Sequence, residues 1–288
     1  MNRALKFSLV LATVGRTHEL RVFLDALLRQ NYSNLELIVV DQNPDDRVTR
    51  LLLGYSFTFP VLHLHSAKGL SRARNVGLHH ITGEIIGFPD DDCFYPDGLL
   101  FSLARIFAVR DNLDVASLRP MSKDRNYLSR ATGATEKTVT PFNVWDLCIS
   151  PALFFRRGIL DQIGGFDEKL GAGCQTPWSG AEETDLVLRA LEAGYNVRYL
   201  PLIIQHPCKS FAQRGSAYAF PSGSGVGWVM ARHRIQFWHL GYRLSRNLGG
   251  VLLSMLQFNL PKTKHHWTLF RGRCYGWWQG RRSLRGRA

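Results

Sequence analysis

Three consecutive carboxylates, Asp90, Asp91 and Asp92, follow almost directly on the apolar run at 84–88 (EIIGF). Adjacent like charges repel, so a plain surface turn gains nothing from such a run, whereas a hard divalent cation needs several oxygen ligands. In an extended segment alternate side chains share a face, which points Asp90 and Asp92 together toward a metal and its bound diphosphate and sends Asp91 elsewhere. A solvated acidic turn is the competing reading of the same residues. Asp41 likewise ends an apolar run, 35–40 (LELIVV), and either serves a ligand or caps the turn that follows. The Glu182-Glu183 pair precedes the helical run Leu186, Arg189, Ala190, Ala193, so both sit at a helix N-terminus, where anions are stabilised whether or not they do chemistry.

The elements that must position these carboxylates are legible as apolar runs. Residues 7–14 (FSLVLATV) form a buried strand ending at Gly15. A helix follows, with Thr17 as its cap, Glu19 in its first turn, and Leu20, Phe23, Leu24, Leu27 and Leu28 at helical spacing. A second strand at 35–40 runs into Asp41 and a turn at 42–46; 61–64 is a weaker third strand, 69–80 is helical, and 84–88 is a fourth strand. Such alternation predicts an α/β domain with a mostly parallel central sheet flanked by helices. Ligands of such sheets sit beyond the carboxyl ends of the strands, where Asp41 and Asp90 to Asp92 fall. The glycines at 69, 77 and 83 suit turns and close packing and do not make a dinucleotide fingerprint.

The run SLVLATVGR, ELIVVDQ, GLSRARNVGL, ITGEIIGFPDDDC resembles the nucleotide-sugar-binding half of the family 2 glycosyltransferases of the GT-A fold, with the D-x-D element at Asp90 to Asp92. ISPALFFRRGILDQIGGFDEKLG resembles the family's acceptor-side G-G-F-D-E segment, and AEETDLVLRALEAGYNVRYLP its E-D-x-D-L helix and following strand. The resemblance covers roughly residues 7–210. It implies that Thr13 and Glu19 lie beside the nucleotide, that Asp41 reads a uracil or thymine edge, and that Arg74, with Arg72 nearby, contacts the base or diphosphate. Both arginines could instead be solvated helix charges.

The family's usual base is the Asp of an E-D pair, and here Glu183 occupies that position, a departure that leaves Glu182 as a possible substitute. The resemblance places Gly165, Phe166 and Asp167 in a turn against the acceptor, and His206, past the strand at 200–204, as a third metal ligand beside Asp90 and Asp92. Trp178 is a candidate sugar-stacking platform or a core residue. The implied cofactor is Mg²⁺ or Mn²⁺, the donor a UDP- or dTDP-sugar also held by Asp90 and Asp91, and the acceptor a sugar hydroxyl on a glycan or lipid-linked glycan. The stretches 118–140 and 209–227 read as irregular and as the shapers of the acceptor pocket.

Composition sets the frame. The chain has 288 residues, 45% of them hydrophobic and 20% charged, which excludes a disordered polyelectrolyte. Its +13 formal charge is uneven: residues 193–288 hold 15 basic residues and no acidic one. An anionic partner is implied. On a helical wheel Phe237, Gly241, Leu244, Leu248, Val251, Leu252 and Met255 lie opposite Arg232, His239, Arg243 and Arg246, and only Arg234 violates the pattern. Residues 231–260 therefore read as a basic amphipathic helix, or two broken near Gly249-Gly250, followed by a basic piece rich in Trp and Tyr.

The expected organisation is a transferase domain over 1–228, with a nucleotide-sugar half at about 1–115 and an acceptor half at about 140–228, and a membrane-associating extension over 229–288. The five cysteines have no metal-ligand spacing, and neither a signal peptide nor a transmembrane run is read. A cytoplasmic enzyme, peripheral at an anionic inner membrane face, fits these features. A sugar-phosphate nucleotidyltransferase would resemble a G-x-G-T-R-L loop that ATVGRTHEL lacks, and a nucleic-acid-binding protein would leave the carboxylates unexplained, so no nucleic acid is expected.

Overall fold

The apolar runs become the strands of one sheet. The computed structural model describes residues 4–122, 133–207 and 211–285. The strands are β1 (Phe7–Thr13), β2 (Leu35–Asp41), β3 (Val61–His65), β4 (Ile85–Gly87), β5 (Val115–Met121), β6 (Lys137–Thr138), β7 (Leu153–Arg156) and β8 (Val197–Gln205). They lie in the order β3-β2-β1-β4-β7-β5-β8-β6. The first four are parallel, β7 is antiparallel to both its neighbours, and β5 pairs in parallel with β8. Every residue of β1 and β2 is buried, as expected of parallel strands covered on both faces.

Helices α1 (His18–Leu28), α2 (Arg47–Leu53), α3 (Leu70–Leu78), α4 (Leu99–Val109), α5 (Val144–Leu147) and α6 (Arg157–Ile163) pack with this sheet in the first of two compact units, Met1–Phe166 with Leu186–Cys208. In α1, Leu20, Phe23, Leu24 and Leu27 are buried as their spacing requires. Thr17 occupies the N-cap position but its hydroxyl makes no capping hydrogen bond, contrary to the expectation. Close packing explains Gly83, where a Cβ would stand 2.6 Å from the Ser8 amide nitrogen.

At the opposite end of β2 from Asp41, Glu36 is buried and fully engaged. Its carboxylate accepts from Ser8 Oγ at 2.5 Å, Thr82 N at 2.6 Å, Thr82 Oγ1 at 2.7 Å and Lys6 Nζ at 2.8 Å. Burial alone would raise its pKa, but these donors outweigh it and bring the value from 4.5 to about 2. A depressed carboxylate pKa stabilises the fold above its unfolded value and loses that contribution as pH falls through the folded one. Glu36→Gln is therefore expected to cost about 3 kcal/mol at neutral pH. The gap between variant and wild type in urea unfolding should shrink between about pH 4.5 and about pH 2; a pH-independent gap would refute the account.

The second unit comprises Asp167–Asp185 and Lys209–Ala288. The division falls within α7 (Glu182–Glu192), which is followed by α8 (Phe211–Arg232), α9 (Phe237–Leu256) and α10 (Leu260–Arg285). The irregular reading of 209–227 is corrected: α8 begins at Phe211 and runs through its Gly, Ser and Pro residues. Those small residues let the backbones of α8 and α10 touch. A Cβ on Gly223 would lie 2.6 Å from Leu269 O, and one on Gly272 2.5 Å from Phe220 O. Pairwise packing of this kind overrides the poor helix propensity of glycine. The helix expected at 231–260 is also redrawn, with breaks at 233–236 and 257–259. It continues through Gly249-Gly250 because Gly250 lies against the His266 ring, 2.7 Å from where its Cβ would be. Part of the irregular stretch 118–140, residues 123–132, lies outside the described residues, as do Cys208 and Lys209. Among the described residues Cys93, Cys148, Cys174 and Cys274 form no disulfide. Among the described residues no helix is long and apolar enough to cross a membrane.

Candidate active site

The acidic run is pinned by backbone pairing on both sides. Ala12 of β1 bridges Asp90, and Phe94 bridges Gln205 at the end of β8. The second bridge carries the next residue, His206, to the carboxylates: its Nε2 lies 3.5 Å from Asp90 Oδ2 and 3.5 Å from Asp92 Oδ1. Candidate ligand atoms of Asp90, Asp92 and His206 all fall within 4.8 Å of one another, and the three side chains are partly exposed. His206 Nδ1 lies 3.1 Å from the Pro207 carbonyl, an acceptor, so Nδ1 carries the proton and Nε2 faces the carboxylates. Two carboxylate oxygens would suit Mn²⁺ or Mg²⁺, and an imidazole nitrogen beside them suits Mn²⁺ better than Mg²⁺.

Cations frame the cluster. Arg16 Nη1 contacts Asp91 Oδ1 at 2.5 Å and Asp92 Oδ2 at 2.7 Å. Arg74 is fully buried, donating to Asp90 Oδ1 at 2.9 Å and to Ser150 Oγ at 2.8 Å, with its guanidinium 5.2 Å from the centre of the Phe166 ring. It is therefore no solvated helix charge, whereas Arg72 on the same helix is exposed. Burial works against ionised Asp90, but His206, Arg74 and Arg16 outweigh it and hold the pKa below the usual carboxylate range. At His206 burial is likewise overcome, by Asp90 and then Asp92, and the pKa rises. Asp91 differs: burial pushes its pKa up, and Arg16 and Thr13 only partly offset it. Asp91 does face away from its neighbours' ligand site, toward Thr13, whose buried Oγ1 donates to it at 2.8 Å. Glu19 is exposed in the first turn of α1 and adds to the field on Arg16.

Asp41 caps the next turn through Oδ1, which accepts from Asn43 N at 2.8 Å and Asn43 Nδ2 at 2.6 Å. Its Oδ2 lies 3.4 Å from His63 Nε2, and Asp41, His63 and His65 form a second group with candidate ligand atoms within 4.8 Å. Phe166 is buried edge-on against Phe88, and the Asn75 side chain clasps its backbone with bonds of 2.8 and 2.9 Å. Gly165 is required there, since a Cβ would stand 2.5 Å from Asn75 Oδ1. These two residues thus pack on α3 and Arg74 rather than projecting freely.

In the second unit, Asp167 pairs with Arg232, Asp185 Oδ1 lies 2.9 Å from His233 Nε2, and Glu182 is buried while Glu183 is half-buried in the first turn of α7. Trp178 stacks on Trp228, ring centres 3.9 Å apart and nearly parallel, so one of its faces is taken by protein. Arg16, His63, His65, Asn75 and Ser150 were missed by sequence reasoning. The Gly15-Arg16 step past β1 and the alternating His63 and His65 at the end of β3 were the available signals; Ser150 offers none.

A mostly parallel α/β sheet flanked by helices, with an acidic run beyond the carboxyl ends of its strands, is the architecture of a GT-A-type glycosyltransferase. The profile described as "Glycosyl transferase family 2" matches residues 8–164, more than half of the chain, and the chain belongs to that family. The uncharacterized glycosyltransferase YwdF of Bacillus subtilis is 26% identical over 201 residues, 68% of this chain and 72% of that protein. The pre-mycofactocin glycosyltransferase of Mycobacterium tuberculosis is 30% identical over 180 residues, covering 59% of this chain and 37% of that protein. In fold, the mannosyltransferase PcManGT of Pyrobaculum calidifontis, solved with GDP-Man and Mn2+, superposes with a TM-score of 0.67 at 16% identity, over 96% of this chain and 88% of its own.

Proposed function

We propose that this family 2 enzyme is an inverting, metal-dependent transferase that moves a sugar from a UDP- or dTDP-linked donor to a sugar hydroxyl on a glycan or lipid-linked glycan. The observation that carries the reading is the convergence of Asp90, Asp92 and His206 at the carboxyl edge of the sheet. Asp90, Asp92 and His206 would hold Mg²⁺ or Mn²⁺, which would supply positive charge against the departing diphosphate. Arg74, itself fixed by Ser150, holds Asp90 in place, and Arg16 holds Asp91 and Asp92. Asp41 reads the base, its carboxylate oriented by Asn43 and His63. Glu183 takes the acceptor proton as that oxygen attacks the anomeric carbon from the face opposite the diphosphate, so no covalent glycosyl-enzyme forms. Gly165, Phe166, Asp167 and Trp178 belong to the acceptor side. The enzyme works at the inner, anionic face of the cell membrane, a reading supported by the 15 basic and no acidic residues after Glu192.

A thermal-shift series with UDP, dTDP, GDP and CMP, each with and without Mn²⁺, tests this. One base is expected to stabilise the protein, and only with Mn²⁺; at a hundredfold excess over Kd the gain is about 2.7 kcal/mol. Indifference to all four in Mn²⁺ would overturn the donor assignment.

A further inference from the structure

His63 and His65 are alternate residues of β3, the edge strand of the sheet, so their side chains share one face. In register, His65 stands opposite Asp41 at the end of β2, which brings that carboxylate to the same face. The two imidazole rings are 4.8 Å apart between centres, and ligand atoms of Asp41, His63 and His65 all fall within 4.8 Å of one another. Asp41 is fully buried, His63 half-buried and His65 exposed, so the group opens to solvent on the His65 side. The two oxygens of Asp41 are divided between separate tasks. Oδ1 accepts from Asn43 N at 2.8 Å and Asn43 Nδ2 at 2.6 Å, while Oδ2 faces His63 Nε2 at 3.4 Å. That separation exceeds an ordinary N–H···O hydrogen bond of about 2.7–3.2 Å. It is close to the roughly 3.3 Å between two ligand atoms that each sit about 2.0–2.1 Å from a tetrahedral zinc ion.

The donor set differs from that of Asp90, Asp92 and His206, where carboxylates are the majority. Two imidazoles with one carboxylate favour zinc and its neighbours in the first transition row over Mg²⁺ and Mn²⁺, which prefer oxygen. Three protein ligands of this kind, with a fourth position left for water or another group, make a complete zinc site. The bonds from Asn43 to Oδ1 are the outer contacts that orient a ligating carboxylate and leave its other oxygen for the ion. We propose that Asp41, His63 and His65 form a second metal site, selective for Zn²⁺, and that zinc bound there competes with the nucleotide by engaging the carboxylate assigned to the base. The competition rests on that reading of Asp41; the metal site itself does not.

The test uses the full chain in two measurements. In the first, Zn²⁺ is titrated by equilibrium dialysis into Asp92→Asn, so that the other cluster contributes little. A zinc site should remain, and adding His65→Ala, or separately His63→Ala, should weaken it by about 10²-fold or more. The fold should survive His65→Ala because that side chain is exposed on an edge strand, and an unchanged far-ultraviolet dichroism spectrum checks it. Zinc affinity that is absent in Asp92→Asn, or indifferent to both histidines, would overturn the site and leave the donor reading standing. In the second, the nucleotide selected by the thermal-shift series is titrated in Mn²⁺ with and without zinc. Zinc at ten times its own Kd should raise the apparent nucleotide Kd of the wild type about elevenfold, the factor 1 + [L]/Kd, and leave that of His65→Ala nearly unchanged. An equal rise in both would place the effect at Asp90, Asp92 and His206 and overturn the competition. Zinc that depends on the histidines but leaves nucleotide affinity untouched would overturn the competition together with the assignment of Asp41 to the base, and the metal site would stand.

Discussion

Glu183→Gln is expected to lower kcat by about 10²-fold or more with donor affinity nearly unchanged, because a general base acts only when the proton moves. Glutamine keeps the shape and removes the lone charge that accepts the proton. The two candidates differ in a way that sharpens the test: Glu182 is 7% exposed, whereas Glu183 is half-buried in the same first turn. The less buried carboxylate has room to meet a hydroxyl, so Glu182→Gln should act mainly on stability. Single-turnover rates and melting temperatures of both variants separate these roles. If Glu182→Gln slows transfer and Glu183→Gln does not, the base is Glu182; if neither slows it, base catalysis by α7 is wrong.

Asp92→Asn should weaken Mn²⁺-dependent nucleotide binding by about 10²-fold. The change would replace an anionic ligand by a neutral amide of the same size, and the fold should survive it because Arg16 keeps its contact with Asp91 at 2.5 Å. Titration of nucleotide in Mn²⁺, alongside an unchanged far-ultraviolet dichroism spectrum, is the measurement. Undiminished metal-dependent binding would remove Asp92 from the site. Asp91→Asn is the informative contrast: with its carboxylate turned to Thr13 and Arg16, it should alter stability more than metal dependence.

Much of this protein was legible in one dimension. The strands at 7–13, 35–41 and 85–87 and the helix α1 follow from local apolar periodicity, which depends only on neighbouring residues and on which faces are buried. The placement of Asp41 and the Asp90 to Asp92 run at strand ends followed with them, since a strand stops where its apolar run stops. Local composition misled over 209–227, where glycine and serine serve the contact of α8 with α10 instead of a loop. Between Arg72 and Arg74 it left the choice open, for the phase of a helix on a sheet decides that Arg74 is buried and Arg72 exposed, and spacing between the two does not.

What only the tertiary structure decided is which distant residues meet. Arg16, Arg74 and His206 reach the same acidic run from three separate segments, with Ser150 bonded behind Arg74, and no sequence spacing encodes those distances. Strand order does. The antiparallel β7 sits between β4 and β5, and β8 beside β5 pairs Gln205 with Phe94, so His206 arrives at Asp90 and Asp92. The sequence by itself determined that these carboxylates stand at the strand ends, because short-range burial dictates where strands finish. The fold determined the partners of those residues, because hydrogen-bond register across a sheet is a long-range property that is satisfied only when the whole sheet has formed.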